Sequence, residues 1–152
     1  VKFQLIGVYE KSLAIKITEV LKNLKTKRAW VVHGSDGTDE ISITGETYVV
    51  ELDEGNINEF KINPKDAGLK ICNFSEILGG SPKFNAQKIQ HLVNGEKNGF
   101  FQSVVFNSAA ALTISEKVNN LQDGVRLASD ALLSGKTRKL VENLKMSKTS
   151  LS

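Results

Sequence analysis

Residues 29–33, AWVVH, form an apolar run of the kind found in strands that are covered on both faces of a sheet. Residues 2–9 are rich in β-forming residues and predict an earlier strand. Between them, apolar residues recur at helical spacing and predict a helix capped by Ser12. Strand, helix and strand in this order indicate a parallel crossover unit. The apolar positions of the helix are Leu13, Ile17, Val20, Leu21 and Leu24.

From Ile41 the pattern changes to period two, which is typical of a strand with one buried face. The glycine-bearing residues 53–56, DEGN, predict a hairpin turn, and Asn63 with Pro64 ends the second strand. We therefore expect an antiparallel hairpin appended to the parallel unit. Its inward residues are Tyr48, Val50 and Leu52, then Ile57 or Phe60, and Ile62.

The second half of the chain predicts helices. In the clearest of them Ser81 is the N-cap, Pro82 the first helical residue and Gly95 the left-handed end. The apolar positions of the four helices are Phe84, Ile89, Leu92 and Val93; Phe101, Val104, Val105 and Leu112; Leu121, Val125, Ala128 and Leu132; and Leu140, Val141 and Leu144. The expected fold is α/β, a partial mixed sheet with a β-α-β crossover, an antiparallel hairpin appendage and four to five covering helices.

Composition indicates one soluble domain. The chain has 152 residues, 40% of them apolar and 24% charged, which suffices for a packed core. A net charge of +3 is too small to indicate nucleic-acid binding, and no apolar run approaches the roughly 20 residues needed to cross a membrane. Cys72 is the only cysteine, so a cytoplasmic location fits best. A solvated helix face or an anion-binding patch explains Lys136, Arg138, Lys139, Lys145 and Lys148.

The loop after the apolar run, HGSDGTDE, carries three carboxylates within five residues: Asp36, Asp39 and Glu40. Loops at the carboxyl ends of parallel strands line ligand crevices, and Mg²⁺ is commonly held there by one or two carboxylates with substrate phosphates. An ordinary acidic turn is the alternative. Adjacent side chains on an extended chain point in opposite directions, so two of these acids reach one ion only if the loop curls.

Other polar residues indicate less. His33 has no second histidine or cysteine at metal-ligand spacing, which favours a half-buried histidine bonded to backbone. His91 is expected to be exposed on a helix. Gly79, Gly80 and Ser81 precede a helix and can bind an anion, although a loop that needs positive φ also uses glycine. We expect no catalytic nucleophile, because no serine or cysteine has a base at a recognisable spacing.

Four segments together resemble the C-terminal half of anthranilate phosphoribosyltransferases. They are QLIGVY at residues 4–9, VLKNLKTKRAWVVHGSDGTDEIS at 20–42, ILGG at 77–80 and FNSAAAL at 106–112. The resemblance implies transfer of phosphoribose from phosphoribosyl pyrophosphate to the amine of anthranilate in tryptophan biosynthesis, with Mg²⁺. It also implies that Asp39 and Glu40 match the family's metal-binding acidic pair.

This sequence also departs from the family pattern. Thr38 stands where leucine or valine is usual, and Lys25 replaces a frequent glycine. The family's glycine-rich phosphate loop and its anthranilate-binding arginine lie before the strand with which this chain begins. We therefore expect residues 1–152 to be the C-terminal part of the α/β domain, without the helical domain and the first half of the α/β domain. Such a chain is expected to be inactive alone.

Two alternatives stay open at this point. A fragment of a pyrimidine nucleoside phosphorylase-like enzyme would share the fold and a related topology. A non-catalytic association module would use the first strand, whose unpaired edge invites pairing with another chain or a second copy.

Overall fold

The structure is a computed structural model that describes residues 1–149, with side chains through residue 146. Its core is a four-stranded sheet with helices on both faces. In sheet order, the strands are β1 (Phe3–Gly7), β2 (Arg28–Gly34), β3 (Thr47–Asp53) and β4 (Asn56–Ile62). The helices are α1 (Ser12–Asn23), α2 (Phe74–Ile77), α3 (Pro82–Val93), α4 (Gly99–Ile114), α5 (Leu121–Leu133) and α6 (Lys136–Thr149), with a 3₁₀ turn at Pro64–Ala67. The α/β class with a mixed sheet is confirmed.

The β-α-β crossover is also confirmed. β1 and β2 pair in parallel, from Phe3 opposite Arg28 to Gly7 opposite Val32, and α1 connects them. Because the strands are parallel, their carboxyl ends lie at the same edge of the sheet. Within the described residues, β1 pairs only with β2 and is an edge strand.

The predicted hairpin continues the main sheet. β3 pairs antiparallel with β2 along seven residues and turns through residues 53–56 into β4. Tyr48, Val50 and Leu52 share one face, as expected. Ile41 and Ile43, however, are not in a strand, because β3 begins only at Thr47. They are fully buried as loop residues, since the loop folds over the sheet.

Both faces of β2 are covered. Ala29 and Val31 pack with α1 through Ala14 and Leu21. On the other face, Trp30 and Val32 pack with Phe106, Ala110 and Ile114 of α4, together with Ile41 and Ile43. The central strand is therefore buried on both sides, which explains its uniformly apolar sequence.

Two details of the α1 prediction are wrong. Lys11, not Ser12, is the N-cap, and it already has helical dihedrals; the Ser12 hydroxyl donates to Glu10 instead. Val20 and Leu24 are 54% and 71% exposed, because the face that packs on the sheet is narrower than the apolar pattern.

The later helices match their predicted positions. Ser81 caps α3 by accepting from the amide of Phe84, and Gly95 has a φ of 83°. The short α2 adds a helix that the apolar pattern did not indicate. Among the predicted apolar positions, Phe84, Ile89, Leu140 and Leu144 are exposed rather than buried.

Small residues on α4 allow α5 to approach closely. A Cβ on Gly124 would lie 2.8 Å from the Cα of Ala109, so the helix backbones touch there. Within the described part of the chain, no helix is long and apolar enough to cross a membrane.

Candidate functional site

The loop that follows β2, residues 35–46, curls at the carboxyl edge of the sheet. The amide of Gly34 donates to the carbonyl of Thr38 at 2.9 Å, and the amide of Gly37 donates to the carbonyl of Gly34 at 3.0 Å. The backbone bends at both Asp39 and Glu40. We call this segment the acidic loop. Two neighbouring acids can reach one ion only if the loop that carries them curls, and the backbone of the acidic loop does curl.

Asp36 organises the acidic loop from within. Its carboxylate accepts hydrogen bonds from the hydroxyls of Thr38, Ser42 and Thr44 at 2.7–2.8 Å, and from the amide of Thr38 at 3.2 Å. Burial raises the pKa of the Asp36 carboxyl, but these hydrogen bonds together outweigh it and hold the pKa below its ordinary value. The role of Asp36 is structural, which leaves two of the three candidate acids for a cation.

Asp39 and Glu40, which we call the acidic pair, are exposed at the rim of the loop. Among the described side chains, none forms a hydrogen bond or an ion pair with either carboxylate. Glu40 keeps contact with solvent, yet its position partly desolvates the carboxyl. This desolvation and the neighbouring charge of Asp39 raise its pKa.

A second pair of adjacent acids provides an internal comparison. Asp53 and Glu54, which we call the turn pair, lie in the β3–β4 turn. The Nε of Arg28 lies 2.9 Å from a carboxylate oxygen of Asp53, and the Nζ of Lys27 lies 3.4 Å from one of Glu54. Lys27 also lies 2.7 Å from Glu116, and Arg28 lies 3.7 Å from Glu51. Each acid of the turn pair thus has a cationic partner, although a shared one, whereas the acidic pair has none among the described side chains.

A cavity of about 510 Å³ lies beside Glu40 of the acidic pair. Thr38, Glu40 and Ser42 of the acidic loop form one wall. The other wall comes from α2, α4 and the residues that follow α2, and includes Phe74, Leu78, Phe100 and Asn107. Among the described residues that line it there is no lysine or arginine. The cavity thus offers carboxylate, hydroxyl and apolar groups, but no cationic side chain.

The remaining candidates behave as ordinary structural residues. The Nδ1 of His33 donates to the carbonyl of Val8 at 2.9 Å, as expected. His91 is exposed and pairs with Glu96. At the α3 N-terminus the amide of Gly80 already donates to Asn85 at 2.8 Å, which leaves it unavailable to an anion. No three His, Cys, Asp or Glu side chains converge in the described part of the chain.

Sequence reasoning missed two residues that hold the acidic loop. Gly7, at the end of β1, lies directly beneath the backbone of Asp39. Asn107, on α4, bonds both backbone groups of Ile41. One signal was present, because Asn107 is a polar residue within the apolar FNSAAAL segment of a helix.

These features define a class of protein. Residues 1–138 match the family model described as glycosyl transferase family, a/b domain, and the chain belongs to that family.

Within the family, the chain is similar to anthranilate phosphoribosyltransferases. It is 43% identical to the enzyme of Petrotoga mobilis over 144 residues, which is 95% of this chain and 42% of that protein. It is 42% identical to the enzyme of Methanobrevibacter smithii over 139 residues, 91% of this chain and 42% of that protein. The chain thus spans about two fifths of the length of these relatives.

Solved structures show the same fold. Anthranilate phosphoribosyltransferase from Thermus thermophilus is 32% identical, with a TM-score of 0.82 over 90% of this chain and 40% of that one. The enzyme from Saccharomyces cerevisiae in complex with PRPP and Mg is 24% identical, with a TM-score of 0.87 over 97% of this chain and 43% of that one. The second likeness supports the fold alone.

The hydrogen bonds of Asp36 predict a pH-dependent contribution to stability. Its folded-state pKa is depressed, so the contribution is complete above the ordinary aspartate pKa of about 3.9 and is lost as pH falls through the folded-state value. We expect Asp36→Asn to lower the free energy of unfolding at pH 7 by about 1–2 kcal/mol. Below about pH 4 the difference from wild type shrinks.

Urea denaturation from pH 3 to pH 7 measures this difference, with Asp130→Asn on the exposed side of α5 as the control. A deficit in Asp36→Asn that does not change with pH would contradict the assignment.

Proposed function

We propose that this chain supplies the cation-binding side of a phosphoribosyltransferase active site. In this proposal Asp39 and Glu40 hold Mg²⁺ that is shared with the pyrophosphate group of phosphoribosyl pyrophosphate. The observation that carries it is the contrast between the two pairs of neighbouring acids. The turn pair has cationic partners in Lys27 and Arg28, which it shares with Glu116 and Glu51. The acidic pair has no such partner among the described side chains, and its Glu40 lines a cavity.

The donor set fits the ion. Mg²⁺ is a hard cation that keeps several waters and is usually held by one or two carboxylates together with substrate phosphates. Two free carboxylates on a curled loop match this preference better than a closed set of protein ligands would. Partial desolvation, and then the neighbouring charge of Asp39, raise the pKa of Glu40.

The chemistry of the proposed reaction needs such a site. When bound, Mg²⁺ would stabilise the negative charge that develops on departing pyrophosphate. The chain's own contribution is to hold the two carboxylates at the sheet edge. The hydroxyls of Thr38 and Ser42 are committed to Asp36 and keep the loop in shape.

Transfer of phosphoribose to the amine of anthranilate, in cytoplasmic tryptophan biosynthesis, is the activity we propose for the complete protein. Its support is identity of 40–43% to enzymes of that name over about nine tenths of this chain. These relatives lend no support to a pyrimidine nucleoside phosphorylase.

The rival proposal is a non-catalytic association module, in which a second copy pairs through the open edge of β1. Such a module has no need of an uncompensated acidic pair. Cation-dependent binding of pyrophosphate therefore separates the two proposals.

The proposal predicts that pyrophosphate binds the chain only with Mg²⁺ and through the acidic pair. We expect the double variant Asp39→Asn, Glu40→Gln to weaken this binding by about tenfold or more, because even outer-shell changes at metal sites cost 10–100-fold. Calorimetric titration of inorganic pyrophosphate at saturating Mg²⁺ measures the change. The matched control is Asp53→Asn, Glu54→Gln, which alters the same residue types at the turn pair. Equal affinity in the two double variants would contradict the proposal.

A second prediction concerns turnover. The substrates together carry a phosphate, a diphosphate and a carboxylate, which are commonly bound by arginine or lysine. The described lining of the cavity has neither. We therefore expect the 152-residue chain to form no phosphoribosylanthranilate from phosphoribosyl pyrophosphate, Mg²⁺ and anthranilate, as followed by anthranilate fluorescence. Turnover that disappears in the acidic-pair double variant would refute this expectation.

A further inference from the structure

Asn107 contacts the acidic loop from α4, 66 residues away along the chain. Its side-chain oxygen accepts from the amide of Ile41 at 3.0 Å, and its side-chain nitrogen donates to the carbonyl of Ile41 at 3.0 Å. The same nitrogen donates to the carbonyl of Ser103 at 3.1 Å, within α4. One amide side chain thus satisfies both backbone groups of the residue that follows the acidic pair.

These bonds fix the direction of the chain at Glu40. The amide of Ile41 belongs to the peptide unit that begins with the carbonyl of Glu40, and that unit is planar. When Asn107 holds the amide, the orientation of the whole unit is set. The side chain of Ile41 is fully buried beside Phe106, which prevents the loop from sliding along the helix.

Gly7 holds the other end of the acidic pair. A Cβ at Gly7 would lie 1.5 Å from the carbonyl oxygen of Asp39, so the loop backbone rests directly on the end of β1. Only glycine allows this approach. The backbone of the acidic pair is therefore held between β1 at Asp39 and α4 at Ile41.

We infer that Asn107 is a positioning residue for cation binding: it fixes the backbone beside Asp39 and Glu40, so that the two carboxylates face one ion. Asn107 does not itself need to touch the cation. This inference rests on the proposed function, because it assigns a role in the same site. Its physical basis is that a loop ordered before binding does not lose further conformational freedom when the ion arrives.

The test compares Asn107→Ala with wild type in two measurements. The first is the affinity for Mn²⁺, used as a probe for Mg²⁺, in the presence of inorganic pyrophosphate. We expect about a tenfold or greater loss, as for outer-shell residues of metal sites. The second is hydrogen exchange at the amide of Ile41, which should accelerate by about tenfold or more when its acceptor is removed.

Asn98→Ala is the matched control. Asn98 is the N-cap of α4, the helix that carries Asn107, and its side-chain oxygen accepts from the amide of Phe101 at 3.0 Å. This variant weakens α4 without touching the acidic loop, so Mn²⁺ affinity should stay within about twofold of wild type. Gly7→Ala is a second test variant, which keeps Asn107 but displaces Asp39, and it should also weaken Mn²⁺ binding.

The outcomes separate the two proposals. Unchanged Mn²⁺ affinity in Asn107→Ala, or an equal loss in Asn98→Ala, would overturn the positioning role. A wild-type chain that binds no Mn²⁺ with pyrophosphate would instead contradict the proposed function. In that case exchange at Ile41 decides whether Asn107 orders the loop: acceleration supports that ordering and an unchanged rate overturns it.

Discussion

The contact between the backbone of Asp39 and Gly7 is the constraint on which the site depends. Because β1 ends in a residue without a side chain, the loop after β2 can cross the carboxyl edge of the sheet instead of extending into solvent. The crossing brings Ile41 and Ile43 into the core against Phe106 of α4. The same packing that buries two isoleucines therefore leaves the acidic pair at the surface, with Glu40 beside a cavity.

Two similar pairs of neighbouring acids differ in their charge compensation. Asp53 and Glu54 lie at the end of β3, where the register places Asp53 opposite Arg28. Asp39 and Glu40 follow the other end of β2, and no cationic side chain among the described residues pairs with them. Neighbouring negative charges without a counterion are unfavourable, and this cost is relieved when a divalent cation binds. The protein thus provides cationic partners for one pair and, among the described residues, none for the other.

Local chemistry made much of the fold predictable. The uniform apolarity of β2, the DEGN turn and the Ser81, Pro82 and Gly95 signals each act within a few residues, and each matched the structure. Interactions over long distances in sequence were not predictable. The burial of Ile41 and Ile43, the exposure of Val20 and Leu24 and the bonds of Asn107 all depend on which elements meet in space. The acidic pair could be proposed from residue type and resemblance. The structural role of Asp36, which sets it apart from the other two acids, became evident only from the hydrogen bonds of the loop.

Paramagnetic broadening by Mn²⁺ tests the central claim most directly, because the effect falls steeply with distance from the bound ion. In amide spectra of the chain recorded with inorganic pyrophosphate, substoichiometric Mn²⁺ should first broaden the signals of Asp39, Glu40 and Ile41. Signals of Asp53 and Glu54, whose carboxylates are paired with Arg28 and Lys27, should remain sharp at the same concentration. Equal broadening at both pairs, or broadening centred on the β3–β4 turn, would contradict the account.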